Sequence, residues 1–453
     1  MTLIAEQSKS LNKKQFIAEI IQDYKLICES REASLLGRKE VLTGKAKFGI
    51  FGDGKELAQI AMAKQFKNGD FRSGYYRDQT FMMAIGELTI KQFFAGLYAH
   101  TDLEFEPISA GRQMGGHFST KALNDDGSWK NLMQQKNSSS DISPTAGQMP
   151  RLVGLGLASK MYRNNKGLNH LTQFSNNGNE VAFGTIGDAS TSEGIFWESI
   201  NASCVLEIPI VMSVWDDGYG ISVPKKYQTT KESISESLSG MEISNGSNGL
   251  KIFKCKGWDY AEMILTYEEA VAFSRKNHAP VLIHVEEITQ PQGHSTSGSH
   301  ERYKSKERLK WAKEFDCIAK FKEWILSSEN SLGEPMTSEE ELNEIEKNEK
   351  LEVKKFAKSA WADFINDIKK ERDAISSLIT QILSESQQKE ELSSILNQLN
   401  KSIDPLRKEI YNALRASLRL VRNENIPSRK NAQKWYDNIK EEMYDRYNSK
   451  LYS

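Results

Sequence analysis

Cysteine is scarce. The 453 residues hold four (Cys28, Cys204, Cys255 and Cys317), widely scattered and without metal-ligand spacing. That excludes a disulfide framework and a thiolate metal site, and it suits a reducing, cytoplasmic setting. An excess of one charge is missing too: 60 basic residues face 61 acidic ones, for a formal net charge of −1. Neither nucleic acid nor an anionic membrane is therefore expected as a partner. No apolar run approaches the length of a membrane span. The opening Met-Thr-Leu-Ile-Ala-Glu has no basic stretch leading an apolar run, so no secretory signal is expected. The length leaves room for two or three ordinary domains, or for one large α/β domain with a helical extension.

What is present is a pair of acidic residues at the ends of two successive strand-like runs. Val181–Ile186 is apolar and ends in Gly187-Asp188-Ala189-Ser190; Ile208–Val214 is apolar and ends in Trp215-Asp216-Asp217-Gly218-Tyr219. Between them, Ile195, Phe196, Ile200 and Val205 recur at helical spacing over 193–206, with Thr191 or Ser192 as the expected N-cap. A strand–helix–strand unit with one short crossover predicts a parallel pair. In such a sheet ligands gather at the carboxyl ends of the strands, where Asp188 and Asp217 fall. The helix N-terminus beyond Ala189-Ser190 favours a phosphate there. Magnesium prefers hard oxygen ligands, one or two carboxylates plus substrate phosphates, so the pair predicts a magnesium–diphosphate site. Either acidic turn alone reads as an ordinary turn. The pair with a complete unit between its members does not.

Other segments read more simply. Gly52-Asp53-Gly54-Lys55 looks like a second Gly-Asp element, but no strand–helix–strand follows it, and it reads as a tight turn before a helix starting near Glu56. Helices are expected over 14–38, 56–66, 89–99 and 151–162. The Gly154-x-Gly156-x-x-Ser159 pattern in the last of these reads as small residues for close helix packing rather than a dinucleotide site, because no strand precedes it. Loops are expected over 121–141 and 237–249, and a strand over 280–285. From Thr337 the chain becomes charged helix, with Ser338 and Glu341 as a capping box and Val353, Phe356, Ala360, Trp361 and Phe364 as an apolar stripe. The aromatic end (Trp435, Tyr436, Tyr444, Tyr447, Tyr452) is expected to pack rather than dangle.

Further motifs now fall into one order: Tyr75-Tyr76-Arg77-Asp78, Gly111-Arg112-Gln113-Met114-Gly115-Gly116-His117, Ser143-Pro144-Thr145-Ala146-Gly147-Gln148 and Gly293-His294-Ser295-Thr296-Ser297. With the two acidic turns they resemble the α part of the thiamine diphosphate-dependent decarboxylating component of 2-oxo acid dehydrogenase complexes. The Gly-Arg-Gln-Met segment is similar to the branched-chain type. The resemblance covers roughly residues 15 to 365 and implies an α/β thiamine diphosphate-binding fold, a mainly parallel sheet flanked by helices, with 1–365 as the cofactor domain. Residues 366–453 would be a charged helical extension or linker towards a β part.

The resemblance also implies roles. Asp188, Asp217 and the Tyr219 carbonyl would hold magnesium, while Gly187, Ala189 and Ser190 line the diphosphate. Tyr76 and Arg77 would meet the diphosphate, a planar guanidinium fork suiting two phosphate oxygens. Ser143 and the backbone of Thr145 would hold the aminopyrimidine ring. His117 and His294 would move protons, and His294 would also reach the cofactor phosphate. The implied activity is oxidative decarboxylation of a 2-oxo acid, branched-chain favoured, with transfer of the acyl group to the lipoyl group of a partner acyltransferase. The glutamate that activates the cofactor ring comes, in this family, from a β part. The chain would then be inactive alone, and would work as a homodimer or an α2β2-like assembly with a separate or fused β part. The alternatives are a non-catalytic or regulatory relative that keeps the fold for assembly, or a pyruvate- or acetoin-type component. Three positions depart from the family pattern: Asp217 stands for the usual asparagine, and Trp215 and Gln290 for usual arginines. Together they predict a phosphate end with less positive charge.

Overall fold

The computed structural model describes residues 13–244, 246–296 and 298–448. Ser297 and Tyr452, named above, lie outside these. The chain divides into two compact units, one of residues 1–93 and 114–355, the other of residues 94–113 and 356–453.

The first unit is built on a six-stranded, wholly parallel sheet. Its strands are β1 (Phe71–Ser73), β2 (Asn137–Ser138), β3 (Ala182–Gly187), β4 (Ile210–Trp215), β7 (Lys251–Lys256) and β8 (Val281–Glu286), in the order β2-β1-β3-β4-β8-β7. A two-stranded antiparallel ribbon, β5 (Tyr219–Gly220) with β6 (Val223–Pro224), lies apart from it. The expected α/β thiamine diphosphate-binding architecture is what the chain adopts. β3 and β4 pair in parallel from Ala182↔Ile210 to Gly187↔Trp215, and the helix Gly194–Leu206 makes the crossover. Every residue of β4 is buried, as is β3 up to Ile186, because helices cover both faces and leave no position for a polar outward side chain.

One core cluster joins Met149 and Leu152 of helix Gln148–Asn164, Phe196 and Ile200 of the crossover helix, and Ile186, Ile210, Met212 and Val214 of the sheet. Gly156 explains how closely the first helix lies: a Cβ there would stand 2.5 Å from Ile210 Cγ2. Gly156 and the buried Ser159 thus pack as the sequence predicts, whereas Gly154 is exposed, with nothing within 4 Å of a Cβ there. Chain order reverses between β1 and β3, since β1 leads outward to β2 while β3 leads to β4 and β8. A crevice at such a switch point is where a parallel α/β sheet binds ligands.

Several local expectations need correction. The crossover helix is not capped by Thr191 or Ser192; its N-cap is Glu193, with no side-chain bond. A 3-10 turn, Ala189–Ser192, intervenes, and both hydroxyls are used elsewhere: Thr191 donates to the Asp188 carbonyl at 2.6 Å and Ser192 to the Gln228 carbonyl at 2.9 Å. The 121–141 loop holds a 3-10 turn, Leu132–Gln134, and the edge strand β2. The 237–249 loop holds a 3-10 turn at Ser239–Met241, just after the short helix Ile234–Ser237. Only half of the capping box forms: Ser338 Oγ accepts from Glu341 N at 3.2 Å, while the Glu341 carboxylate is taken by the Thr337 hydroxyl.

The second unit is helical. It holds the later part of Glu339–Glu385, then Lys389–Lys401, Arg407–Leu420 and Pro427–Asn448. Its own core joins Ile365, Ile368, Ile375, Ile379, Leu392, Ile410 and Leu414. The helical extension is thus a packed element with charge on its outer faces. Trp435 and Tyr436 pack against that core, whereas Tyr444 and Tyr447 are exposed, so the aromatic end packs only in part.

Candidate active site

Three strand ends converge on the crevice. β1 leads into Tyr75-Tyr76-Arg77, β3 into Asp188, and β4 into Asp216-Asp217. Asp188 is buried, its Oδ2 has no hydrogen-bond partner, and its carboxyl is pushed well above the usual carboxylate range by burial and by the neighbouring Asp217 and Asp216. Tyr75 Oη is likewise buried and unpartnered, about 4.0 Å from where a Gly187 side chain would begin. Gly187, Ala189 and Ser190 are all half-buried beside Asp188. Across from them, a Cβ on Gly220 would come within 2.8 Å of the Ala189 methyl, so the two acidic turns touch.

The second acidic turn is braced from below. Asp216 Oδ1 accepts from Gly218 N at 2.8 Å, and Oδ2 meets Lys225 Nζ at 2.7 Å and His284 Nε2 at 3.1 Å; His284 Nδ1 faces Ser235 Oγ at 2.8 Å. Burial raises the Asp216 carboxyl, but the bonds from His284 and Lys225 outweigh it and hold it at about 2. Asp216 is therefore a fixed anion that shapes the turn, which leaves Asp217 to face the crevice. Asp217 Oδ1 accepts from Tyr219 N at 3.1 Å, and the Tyr219 ring lies under Lys304 Nζ at 5.0 Å and the Arg308 guanidinium at 5.9 Å.

Arg77 is buried, and its fork is already in use. Nη1 donates to the Phe51 carbonyl at 2.5 Å, and Nη2 to the His294 carbonyl at 2.9 Å with His294 Nδ1 at 3.2 Å. The histidine loop is held further by Arg38 on the Ser295 carbonyl (2.8 Å), by Thr296 N on the Gly49 carbonyl (3.1 Å) and by Asp53 on Gln292 N (2.9 Å). His294 is lowered to about 4 by burial first and by Arg77 next, so it is neutral at pH 7. Because Arg77 can only donate, Nδ1 must accept and Nε2 carries the proton.

His117 and Ser143 come together on the β1 side, with His117 Nε2 2.9 Å from Ser143 Oγ and Nδ1 3.2 Å from the Met114 carbonyl. A carbonyl can only accept, so Nδ1 donates, and in the neutral ring Nε2 accepts the hydrogen bond of the Ser143 hydroxyl. The fully buried Arg72 holds this loop indirectly: it pairs with Asp141 at 2.9 Å, and Asp141 accepts from Phe118 N. Gly116 adopts φ +89, and a side chain there would meet the Tyr76 carbonyl at 2.8 Å, which seats the His117 loop beside Tyr76. Tyr76 is half-buried against Tyr75, and Thr145 is exposed on the turn after Ser143. Arg112 belongs to the other unit, where its guanidinium donates to the Arg446 carbonyl.

The structure adds cations where the sequence predicts few. Lys55, in the turn read only as a helix start, is buried with Nζ 3.2 Å from Asp217 Oδ2 and 2.8 Å from Gln290 Oε1. Lys304 is buried close by, and Arg308 Nη2 donates to the Asp217 carbonyl at 3.0 Å. Trp215, by contrast, is a core side chain whose indole donates to Ser213 Oγ at 2.8 Å, and His300 is lowered by burial and by Lys304. The turn reading of 52–55 stands, since Lys55 N bonds the Gly52 carbonyl at 3.2 Å. No local sequence signal marks Lys55, whose partners Asp217 and Gln290 lie far along the chain.

These residues fit a diphosphate with its cation. An unpartnered buried carboxylate oxygen asks for a positive charge, while Lys55, Arg77, Lys304 and Arg308 around one face ask for an anion. No cluster of three acidic, histidine or cysteine side chains suited to a metal occurs among the described residues. A metal here would have to take carbonyl and phosphate oxygens as well, as magnesium commonly does.

Comparison with known proteins agrees. The profile of the dehydrogenase E1 component family matches residues 35–369. The chain belongs to that family. Among its relatives, 2-oxoisovalerate dehydrogenase subunit alpha of Bacillus subtilis is 28% identical over 285 residues, which is 62% of this chain and 74% of that one. The human mitochondrial 2-oxoisovalerate dehydrogenase subunit alpha is 25% identical over 286 residues, 63% of this chain and 55% of its own length. Pyruvate dehydrogenase E1 component subunit alpha of Acholeplasma laidlawii is 26% identical over 281 residues, 60% of this chain and 66% of its own. The matched part thus spans about half of the human relative and more of the bacterial ones. The expected resemblance to E1 α components, branched-chain type included, is met by these matches. No helix among the described residues is long and apolar enough to cross a membrane.

Proposed function

We propose that this chain is the α half of a thiamine diphosphate- and magnesium-dependent 2-oxo acid dehydrogenase, acting on branched-chain 2-oxo acids and passing the acyl group to the lipoyl group of a partner acyltransferase. The observation that carries the reading is the meeting of the β3 and β4 ends, where the buried Asp188 with its unpartnered oxygen stands near Asp217 and Asp217 pairs with the buried Lys55. Asp188, Asp217 and the Tyr219 carbonyl would hold magnesium. Gly187, Ala189, Ser190, Tyr76, Arg77 and His294 would line the diphosphate, and Ser143 and Thr145 the ring beyond it.

Bound thiamine diphosphate supplies the electron sink for loss of carbon dioxide. The chain's own part is to position and to move protons. His294, neutral with its proton on Nε2, can donate from that atom, while Arg77 keeps the tautomer fixed. His117 can accept a proton at Nε2, the lone pair that the Ser143 hydroxyl now occupies with its hydrogen bond. The domain limits we propose are 1–365 for cofactor binding and 366–453 as the connection towards a β part. The latter stretch contains no strand among its described residues and so no second parallel sheet. The missing activating glutamate is assigned to the β part, separate or fused, in a homodimer or α2β2-like assembly. A cytoplasmic site of action fits the four free, buried cysteines.

The test is calorimetric titration with thiamine diphosphate and magnesium, with the β part present. Micromolar, magnesium-dependent binding supports the reading. No binding at high cofactor concentration favours a non-catalytic relative that keeps the fold for assembly.

A further inference from the structure

We propose that Lys55 is a further cofactor-holding residue: a built-in cation that offsets the charge of Asp217 and offers its remaining N–H to the diphosphate. This deepens the site reading given under Proposed function and rests on it.

The geometry is specific. Lys55 stands immediately before helix Glu56–Gln65 and is only 2% exposed. Its ammonium has three N–H bonds. One is directed at Asp217 Oδ2 (3.2 Å) and one at Gln290 Oε1 (2.8 Å). The Gln290 amide cannot turn away without loss, because its Nε2 donates to the Gly293 carbonyl at 2.7 Å and so aims Oε1 at the lysine. The turn that carries Lys55 is equally fixed. A side chain on Gly52 would stand 2.3 Å from the Arg77 carbonyl, and one on Gly54, at φ +85, 2.1 Å from the Thr289 carbonyl. Lys55 is thus tied to three parts of the site at once: the Arg77 segment, the Asp217 turn and the loop after β8 that leads to His294.

The charges then balance. An aspartate at 217 adds one negative charge over an amide, and Lys55 adds one positive charge in contact with it. Magnesium shared by Asp188 and Asp217 would leave the phosphates facing Arg77 and the third N–H of Lys55. Gln290, which accepts from the lysine, completes a set of three side chains acting together. A buried ammonium between two acceptors with a third direction open is an anion site in waiting.

The experiment is a double-mutant cycle on the full chain, with and without its β part, using Lys55→Met, Asp217→Asn and the double variant. Binding of thiamine diphosphate, and of inorganic diphosphate as a probe of the phosphate end alone, is measured by calorimetry with magnesium, and folding by circular dichroism. Lys55→Met is expected to weaken both ligands about tenfold or more, the size of a lost charge-assisted hydrogen bond. The double variant is expected to recover only the part of that loss owed to the uncompensated Asp217 charge, more than independent sites would give, and to stay weaker than Asp217→Asn alone because the hydrogen bond to the diphosphate is still missing. If Lys55→Met does not fold, the folded double variant still decides against Asp217→Asn: weaker binding than that single variant supports the assignment, and equal binding overturns it. Wild-type binding that Lys55→Met leaves unchanged, or effects that simply multiply, overturn the assignment and leave the site reading intact. A wild type that takes up neither ligand overturns both.

Discussion

Arg77→Met offers the sharpest probe of how the histidine loop is held. The native guanidinium makes two charge-assisted bonds, to the Phe51 and His294 carbonyls at 2.5 and 2.9 Å. Bonds of this kind contribute about 1.5–3 kcal/mol each, so the two together amount to about 3–6 kcal/mol, shared between the Phe51 segment and the loop around His294. The electrostatic effect runs in parallel. His294 lies at about 4 because of burial and then Arg77, 3.2 Å from its Nδ1. Removing that cation should raise the histidine, burial still holding it below its usual value. Arg77→Lys should keep the histidine low yet lose one carbonyl, since a single ammonium cannot reproduce the fork. Hydrogen exchange over 292–300 reads the first effect, and an NMR titration of the His294 ring the second. Unchanged exchange together with an unchanged histidine titration in Arg77→Met would refute the reasoning.

Other outcomes follow from the same contacts. Gly156→Val should destabilise the fold by about 1–3 kcal/mol through overpacking against Ile210, read as a lower urea midpoint; an unchanged midpoint would contradict the packing. His117→Ala should cut turnover of the α–β assembly by about a hundredfold or more, as expected for a lost proton-transfer group, with little change in melting temperature. Equal turnover would remove His117 from the chemistry. Two histidines are held neutral in the fold: His294, and His278, which burial and Arg163 lower to about 4. Both sit below the unfolded value of about 6.5, so their contribution is complete above that pH and is lost as pH falls towards 4. Urea midpoints should therefore drop over that window, and a flat profile would count against it.

The acidic pair was legible because its signals are local. β3 and β4 are apolar runs broken by one hydroxyl each, Thr185 and Ser213, and each ends in a turn whose residues the sequence states outright. Lys55 was not legible as a site residue, since its contact with Asp217 joins positions 162 residues apart and its own turn has an ordinary local explanation. Edge strands were hard for another reason. β7 spreads Lys251, Lys254 and Lys256 over six residues and lacks the apolar run of the inner strands, while β2 is only two residues long. The missed N-cap has a physical cause as well: Thr191 and Ser192 have hydroxyls suited to capping, but Thr191 donates back to the Asp188 carbonyl and Ser192 to the distant Gln228 carbonyl. The predicted shortage of positive charge at the phosphate end came from counting arginines within motifs. The structure fills that place with lysines from other segments, Lys55 and Lys304.

The central claim is that this chain is one half of a decarboxylating catalyst. The direct measurement is a panel of 2-oxo acids, 2-oxoisovalerate and pyruvate among them, with thiamine diphosphate, magnesium and an artificial electron acceptor. It should be run on the chain alone and on its assembly with the β part. The account predicts turnover by the assembly, highest with branched-chain substrates, and little or none by the chain alone. Full decarboxylation by the chain alone, or none by an assembly that binds cofactor, would contradict it.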